Sequence, residues 1–133
     1  MKGIYAITEE APHFLRLQVI GQLSVQAVET LCLELERYVK RADEDLQVLI
    51  DLSYTTAPAP VLVHGTLVRL LRRYRTPRVA IFGGPSHIMQ TTSTLLKIAR
   101  AADHVRLFHD EGDACNWLAN GHHAPATRLT ASR

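Results

Sequence analysis

The chain has 133 residues, of which 47% are hydrophobic and 21% are charged, and this is the size and composition of one globular domain with a real core. A formal net charge of +2 does not favour nucleic acid as a partner, and no apolar run approaches the ~20 residues of a membrane span. The N-terminus lacks the long apolar core of a signal peptide, so we expect a cytoplasmic protein without a transmembrane segment. Cys32 and Cys115 have no CxxC spacing, which favours free thiols over a disulfide or a nucleophile.

Two short β-type segments open the chain. Residues 3–8 are β-branched and aromatic, and residues 14–19 alternate between apolar and polar side chains. The stretch 9–13 between them contains Pro12 and predicts a turn, so we expect an antiparallel hairpin. Residues 25–41 then carry apolar side chains at steps of three and four, which predicts an amphipathic helix with Ser24 as its N-cap.

Residues 46–52 form a continuous apolar run, which predicts a central strand covered on both faces. A loop over 54–60 contains two prolines, and a helix is predicted over 61–74. The order then repeats as a strand over 78–82, a helix over 86–102, a strand over 105–109 and a helix that begins after Asp110 and ends near Gly121.

The sequence therefore predicts a single α/β domain over 1–120 and a flexible tail over 121–133. The predicted sheet has four or five strands and is mixed but mostly parallel, with about four helices in the order β-β-α-β-α-β-α-β-α.

Several short motifs in this pattern resemble one family. They are Gly21-Gln22-Leu23 before the first helix, Asp51-Leu52-Ser53 at the end of the central strand, and Val105 to Asp110 followed by Ala114 and Trp117-Leu118. Over about residues 3–119 the chain resembles the STAS domain, and within it the SpoIIAA-like branch, which is sometimes grouped with Sec14-type lipid-binding folds. The resemblance implies helices packed mainly on one face of a mixed sheet. It also implies a non-enzymatic role in protein regulation, or in binding a small ligand, a nucleotide or a lipid.

The resemblance also bears on regulation by phosphorylation. In phosphorylatable members a loop with Asp-Ser-Ser-Gly follows the Asp-Leu-Ser strand, and a kinase modifies a serine there. The matching residues 57–61 of this chain read Ala-Pro-Ala-Pro-Val. We therefore expect no serine phosphoswitch, and we do not transfer that role to Thr55 or Thr56.

Ligands of open α/β sheets bind at the edge where the parallel strands end. The candidate ligand or partner site at that edge consists of Asp51, Ser53, Thr55, Thr56, Gly83, Gly84 and Ser86, with His109 and Asp110 close by. The alternative is purely local: Asp51 and Ser53 satisfy backbone donors of the loop, and the glycines make an ordinary turn.

Five arginines lie within ten residues, without an acidic residue among them. They are Arg69, Arg72, Arg73, Arg75 and Arg78. Such a patch suits an anionic protein surface, a phospholipid head group or a small anion, whereas the alternative is a solvated helix end favoured by the helix dipole.

We predict neither a metal site nor a cofactor. The seven histidines show no HxxxH or HExxH spacing, and there is no GxSxG motif.

The leading hypothesis is thus a regulatory domain without enzymatic activity that binds a protein partner or a second copy of itself. The second is a carrier of a small molecule or lipid, with an apolar cavity of ~300 Å³ or more beside the arginine-rich helix. The third is an enzyme that uses Asp51, Ser53 or His109, but no acid–base pair or nucleophile stands out by its spacing in the sequence.

Overall fold

The computed structural model describes residues 3–42, 46–74 and 77–121. The strands are β1 (Ile4–Ala11), β2 (Phe14–Gly21), β3 (Gln47–Thr55), β4 (Arg78–Phe82) and β5 (Val105–Phe108). The helices are α1 (Val25–Arg41), α2 (His64–Arg73), α3 (Ser86–Ala99) and α4 (Glu111–Gly121), and a 3₁₀ turn over Val61–Val63 precedes α2.

The five strands form one sheet in the order β1-β2-β3-β4-β5, so each strand pairs with its neighbour in the chain. β1 and β2 are antiparallel, and the pairs from β2 to β5 are parallel. The α/β class, the mixed and mostly parallel sheet and the element order predicted from the sequence are therefore confirmed.

Alternating residues of the sheet face two different layers. On one face, Leu17 and Ile81 pack beneath α1, α2 and α3. On the other face, Leu49 and Phe82 pack against Ala114 and Leu118 of α4. The central strand is thus covered on both sides, as its continuous apolar run predicts.

Two predicted caps are present. The Ser24 hydroxyl accepts a hydrogen bond from the Ala27 backbone N–H at 3.1 Å, and Asp110 Oδ1 accepts one from the Asp113 N–H at 2.9 Å. Each satisfies a backbone donor that the first turn of a helix leaves free.

The structure differs from the sequence prediction mainly at element ends. β3 continues to Thr55, because a register shift after Gln18 lets Ile20 pair with Tyr54 and Gly21 with Thr55. β1 continues to Ala11, and His13 adopts a φ of 67° in the tight turn that follows. α3 ends at Ala99, since Arg100 takes the left-handed conformation.

Parts of several predictions lie outside the described residues. They are Arg75 of the predicted arginine patch and the predicted tail beyond Gly121, which is itself the last residue of α4. None of the helices in the described ranges has the length and apolarity that a membrane span requires.

Candidate functional site

At the end of β3, the Asp51 side chain is hydrogen-bonded to the backbone of its own strand. The Ser53 backbone N–H donates a hydrogen bond to Asp51 Oδ1 at 2.8 Å. Asp51 therefore satisfies a donor of its own strand end, which is the local role that the sequence left as an alternative.

Gly83 and Gly84 let the β4–α3 turn approach β3. Gly83 has a φ of +86°, and a Cβ atom built on it would lie 2.3 Å from Ser53 Oγ. A Cβ on Gly84 would lie 3.0 Å from Met89 Sδ. The structure thus brings Ser53 and Gly83 together as predicted, and close packing accounts for the two glycines.

The start of α3 follows directly. Pro85 occupies the N-cap position without a side-chain cap, and Ser86 is the exposed first residue of the helix.

The two threonines after β3 have different surroundings. Thr55 is 8% exposed, and its hydroxyl donates to the Leu52 carbonyl at 2.6 Å. Thr56 is exposed, and its backbone N–H donates to the Gly21 carbonyl at 3.1 Å. Thr55 therefore lies in the interior, at an apolar cavity described below, and only Thr56 is exposed to a partner at the surface.

Three large apolar side chains around the same loop face solvent. Tyr54 is 59% exposed, Val61 79% and Leu62 84%. Val61 and Leu62 lie within the helix predicted over 61–74, but in the structure the 3₁₀ turn directs them outward, while Val63 is buried at 1%. We call residues 54–62 the β3–α2 segment.

The arginines do not form the single patch predicted from the sequence. Arg72 Nη2 donates to the Ile98 carbonyl at 2.8 Å, towards α3. Arg73 lies 3.9 Å from Glu36 of α1, on the other side of α2. Arg69 has a long contact of 3.5 Å with Thr66 Oγ1. Arg72 and Arg73 also end α2 at the edge where the parallel strands begin, so they lie at the opposite end of the sheet from Ser53 and Gly83.

Arg78 belongs to a different site altogether. Its guanidinium stacks over the Trp117 ring at 4.1 Å, and Arg106 lies 5.7 Å from the same ring. Trp117 is on α4, so this group occupies the opposite face of the sheet from α2. Burial, followed by the nearby charge of Arg106, lowers the pKa of Arg78. Because the face of a strand residue depends on register, spacing in sequence misassigned Arg78 to the patch.

An apolar cavity of about 250 Å³ lies between the sheet and helices α1, α2 and α3. It extends from Ala57 and Ala59, near the carboxyl ends of the strands, to Pro77 and His104, near their amino ends. Leu67 and Leu70 place the inner side of α2 against it, whereas the arginines of α2 face outward. The volume is somewhat below the ~300 Å³ that the carrier hypothesis predicts.

Most polar side chains along the cavity are already hydrogen-bonded. The hydroxyls of Thr91 and Thr92 donate to carbonyls of their own helix at 3.1 and 2.8 Å, and Tyr74 donates to Glu36 at 2.9 Å. His104 is the exception: Nδ1 is 2.9 Å from Asp103 Oδ1, but Nε2 is buried without a partner in the described part of the chain.

Burial makes both cysteine thiols harder to ionise. Cys32 lines the cavity, and burial raises the pKa of its thiol to about 11, so it stays protonated near neutral pH. Burial also raises the pKa of Cys115. Within residues 3–42, 46–74 and 77–121, no three His, Cys, Asp or Glu side chains gather as metal ligands.

The mixed sheet and the element order are those of a fold with known relatives. The family model SpoIIAA-like matches residues 14–119. The chain belongs to the SpoIIAA-like family. None of the curated proteins matches the sequence significantly.

Two solved structures share the SpoIIAA-like fold. One is an uncharacterized protein of the DUF3478 family from Shewanella loihica, with 19% identity, a TM-score of 0.62, and coverage of 87% of this chain and 93% of that one. The other is the anti-sigma factor antagonist SpoIIAA in its unphosphorylated form, with 8% identity, a TM-score of 0.60, and coverage of 88% and 97%. At these identities the likeness concerns the fold alone.

Proposed function

We propose that this SpoIIAA-like domain is a regulatory module without enzymatic activity, which binds a protein partner or a second copy of itself through the β3–α2 segment. The exposure of Tyr54, Val61 and Leu62 carries this proposal. Large apolar side chains in water favour contact with another protein, because association removes their surface from water.

The same segment is suited to binding for a second reason. Pro58 and Pro60 restrict its backbone, so less conformational entropy is lost when the segment is immobilised at an interface. The matching loop carries no serine, and the buried Thr55 hydroxyl is bonded to Leu52. Both observations support regulation by contact rather than by a serine phosphoswitch. The SpoIIAA neighbour is by name an antagonist of another protein, which agrees with such a role.

A pair of surface substitutions tests the proposal. Leu62→Asp places a charge in the exposed segment, whereas Ile98→Asp changes a side chain that is 53% exposed at the far end of α3. We expect Leu62→Asp to abolish capture of the partner from lysate of the source cells, or to convert a dimer to a monomer in light scattering. Ile98→Asp should change neither. Equal behaviour of wild type and both variants would contradict the proposal.

The cavity favours a second function, the binding of a small apolar molecule. Its walls come from α1, α2, α3 and the sheet, and a preformed apolar space of this kind is typical of ligand sites. Native mass spectrometry of protein from its own cells should show a non-covalent mass that denaturation removes. Ala59→Leu narrows the cavity, so it should lower the fraction of protein that carries the bound molecule. Wild-type protein with no bound mass would contradict the carrier function.

A further inference from the structure

One wall of the cavity holds a polar group with an unused hydrogen-bonding position. The His104 side chain is 5% exposed and lines the cavity. Its Nε2 atom is buried and has no hydrogen-bond partner in the described residues. Buried polar atoms are rarely left in this state, so Nε2 is suited to an atom of a bound molecule, which reaches it once the ring turns Nε2 towards the cavity.

The other ring nitrogen decides what kind of atom fits. Nδ1 lies 2.9 Å from the Asp103 carboxylate oxygen, which can only accept a hydrogen bond. Nδ1 therefore carries the proton, and in the neutral ring Nε2 is left as an acceptor. A partner for Nε2 of the neutral ring must donate, as an O–H or an N–H group does.

The remaining walls restrict the rest of the molecule to hydrocarbon. The hydroxyls of Thr55, Thr91 and Thr92 already donate to backbone carbonyls, so they offer no free donor to a ligand. A carboxylate in this apolar space would be desolvated without compensation, since Arg72 and Arg73 are exposed and engaged with Ile98 and Glu36. A neutral molecule with one polar group satisfies both conditions.

The volume of the cavity limits the size of the bound molecule. A cavity of about 150 Å³ holds benzene, so about 250 Å³ corresponds to roughly ten carbon atoms. The cavity runs from Ala59 to Pro77 along the strands, which favours an elongated shape.

We propose that the cavity binds a neutral, mostly hydrocarbon molecule of roughly ten carbons, whose single O–H or N–H group donates a hydrogen bond to Nε2 of His104. This proposal rests on the carrier function proposed above and names its ligand class.

Two isomeric probes test the proposal on the wild-type protein. The primary alcohol nonanol and methyl octyl ether contain the same atoms, but only the alcohol can donate a hydrogen bond. In isothermal titration calorimetry we expect the alcohol to bind about tenfold more tightly than the ether, and nonanoate to bind more weakly than the alcohol. Equal affinities of alcohol and ether, or tightest binding of nonanoate, would overturn the role of His104 while leaving a carrier in place.

A substitution of His104 tests whether this residue accepts the hydrogen bond from the alcohol. His104→Phe keeps an aromatic ring of similar size but removes the acceptor, so alcohol affinity should fall about tenfold while ether affinity stays the same. Fluorescence of Trp117, on the opposite face of the sheet, reports whether the variant is folded. If neither probe binds wild type in a saturable manner, both the carrier function and this ligand class are wrong.

Discussion

Gly83 is a position at which the fold does not accept a side chain. Its φ of +86° disfavours any L-residue, and a Cβ would meet Ser53 Oγ at 2.3 Å. We expect Gly83→Ala to lower the free energy of unfolding by about 2 kcal/mol or more, measured by urea denaturation. The additional change Ser53→Gly should recover the part caused by the collision, but not the part caused by φ.

Gly65 provides the matched control. It is an exposed residue of α2, and a Cβ there would meet nothing within 4 Å. Gly65→Ala should raise the free energy of unfolding by about 0.5–1 kcal/mol, because alanine restricts the unfolded chain and favours helix. Similar destabilisation by both substitutions would show that the tight turn at Gly83 has no special role.

Two side chains make the protein sensitive to alkaline pH. Burial raises the pKa of Cys32 from 9.0 to about 11. Burial, followed by the hydrogen bond to Glu34, raises the pKa of Tyr5 from 10.0 to about 12. The folded protein keeps both protons to a higher pH than the unfolded chain, so the free energy of unfolding should fall as the pH rises from about 9 towards 12.

Urea titrations at a series of pH values measure this decline. Tyr5→Phe removes the group that titrates last, so the variant should lose less stability than wild type above about pH 10. A wild-type profile that is flat from about pH 8 to 11 would contradict the assignment.

Residue chemistry was only partly predictable from the sequence. The contact of Ser53 with Gly83 follows from the rule that the ends of parallel strands meet at one edge. The separation of Arg78 from Arg72 does not, because it depends on which face of β4 the Arg78 side chain occupies. His104 gives no local signal, since its burial arises from elements far away in the chain.

At the scale of elements, α4 is the sole helix on its face of the sheet in the described structure, and Leu118 anchors it with no exposed surface. Leu118→Ala should lower the free energy of unfolding by about 2–5 kcal/mol, through lost burial and a new void. Asn120→Ala, at an exposed position of the same helix, should change it by less than about 0.5 kcal/mol. A small effect of Leu118→Ala in urea denaturation would mean that α4 docks weakly.

The elements with regular patterns were predictable. The 3.6-residue period gives α1 with the same limits, 25–41, and the apolar run gives β4 as 78–82. The end of β3 was not predictable, because Tyr54 and Thr55 form strand only through pairing with Ile20 and Gly21 after a register shift.

At the scale of the whole molecule, the cavity should make the protein sensitive to hydrostatic pressure. Unfolding eliminates internal voids, and pressure favours the state of smaller volume. Ala59→Leu places extra atoms beside the cavity of about 250 Å³, so it should raise the pressure midpoint of unfolding followed by Trp117 fluorescence. Saturating nonanol should do the same in wild type, and an unchanged midpoint in both cases would indicate that the space is already filled.

The overall architecture was predictable because the periodic pattern and the short motifs from Gly21 to Leu118 agree with each other. The cavity was not, since it is a small mismatch between layers whose facing side chains are mostly apolar. Sequence patterns show that Leu67 and Leu70 face inward, but not how closely they meet the sheet.

The sequential strand order has a consequence for biosynthesis. Each strand from β2 onward pairs with the strand that precedes it in the chain, so the sheet can grow at one edge as the polypeptide leaves the ribosome. None of the five described strands depends on a partner far away in the chain, which keeps the contact order low for a β-containing protein. Until α4 is synthesised, however, Leu49 and Phe82 remain uncovered, and this interval is when the nascent chain is most exposed to aggregation.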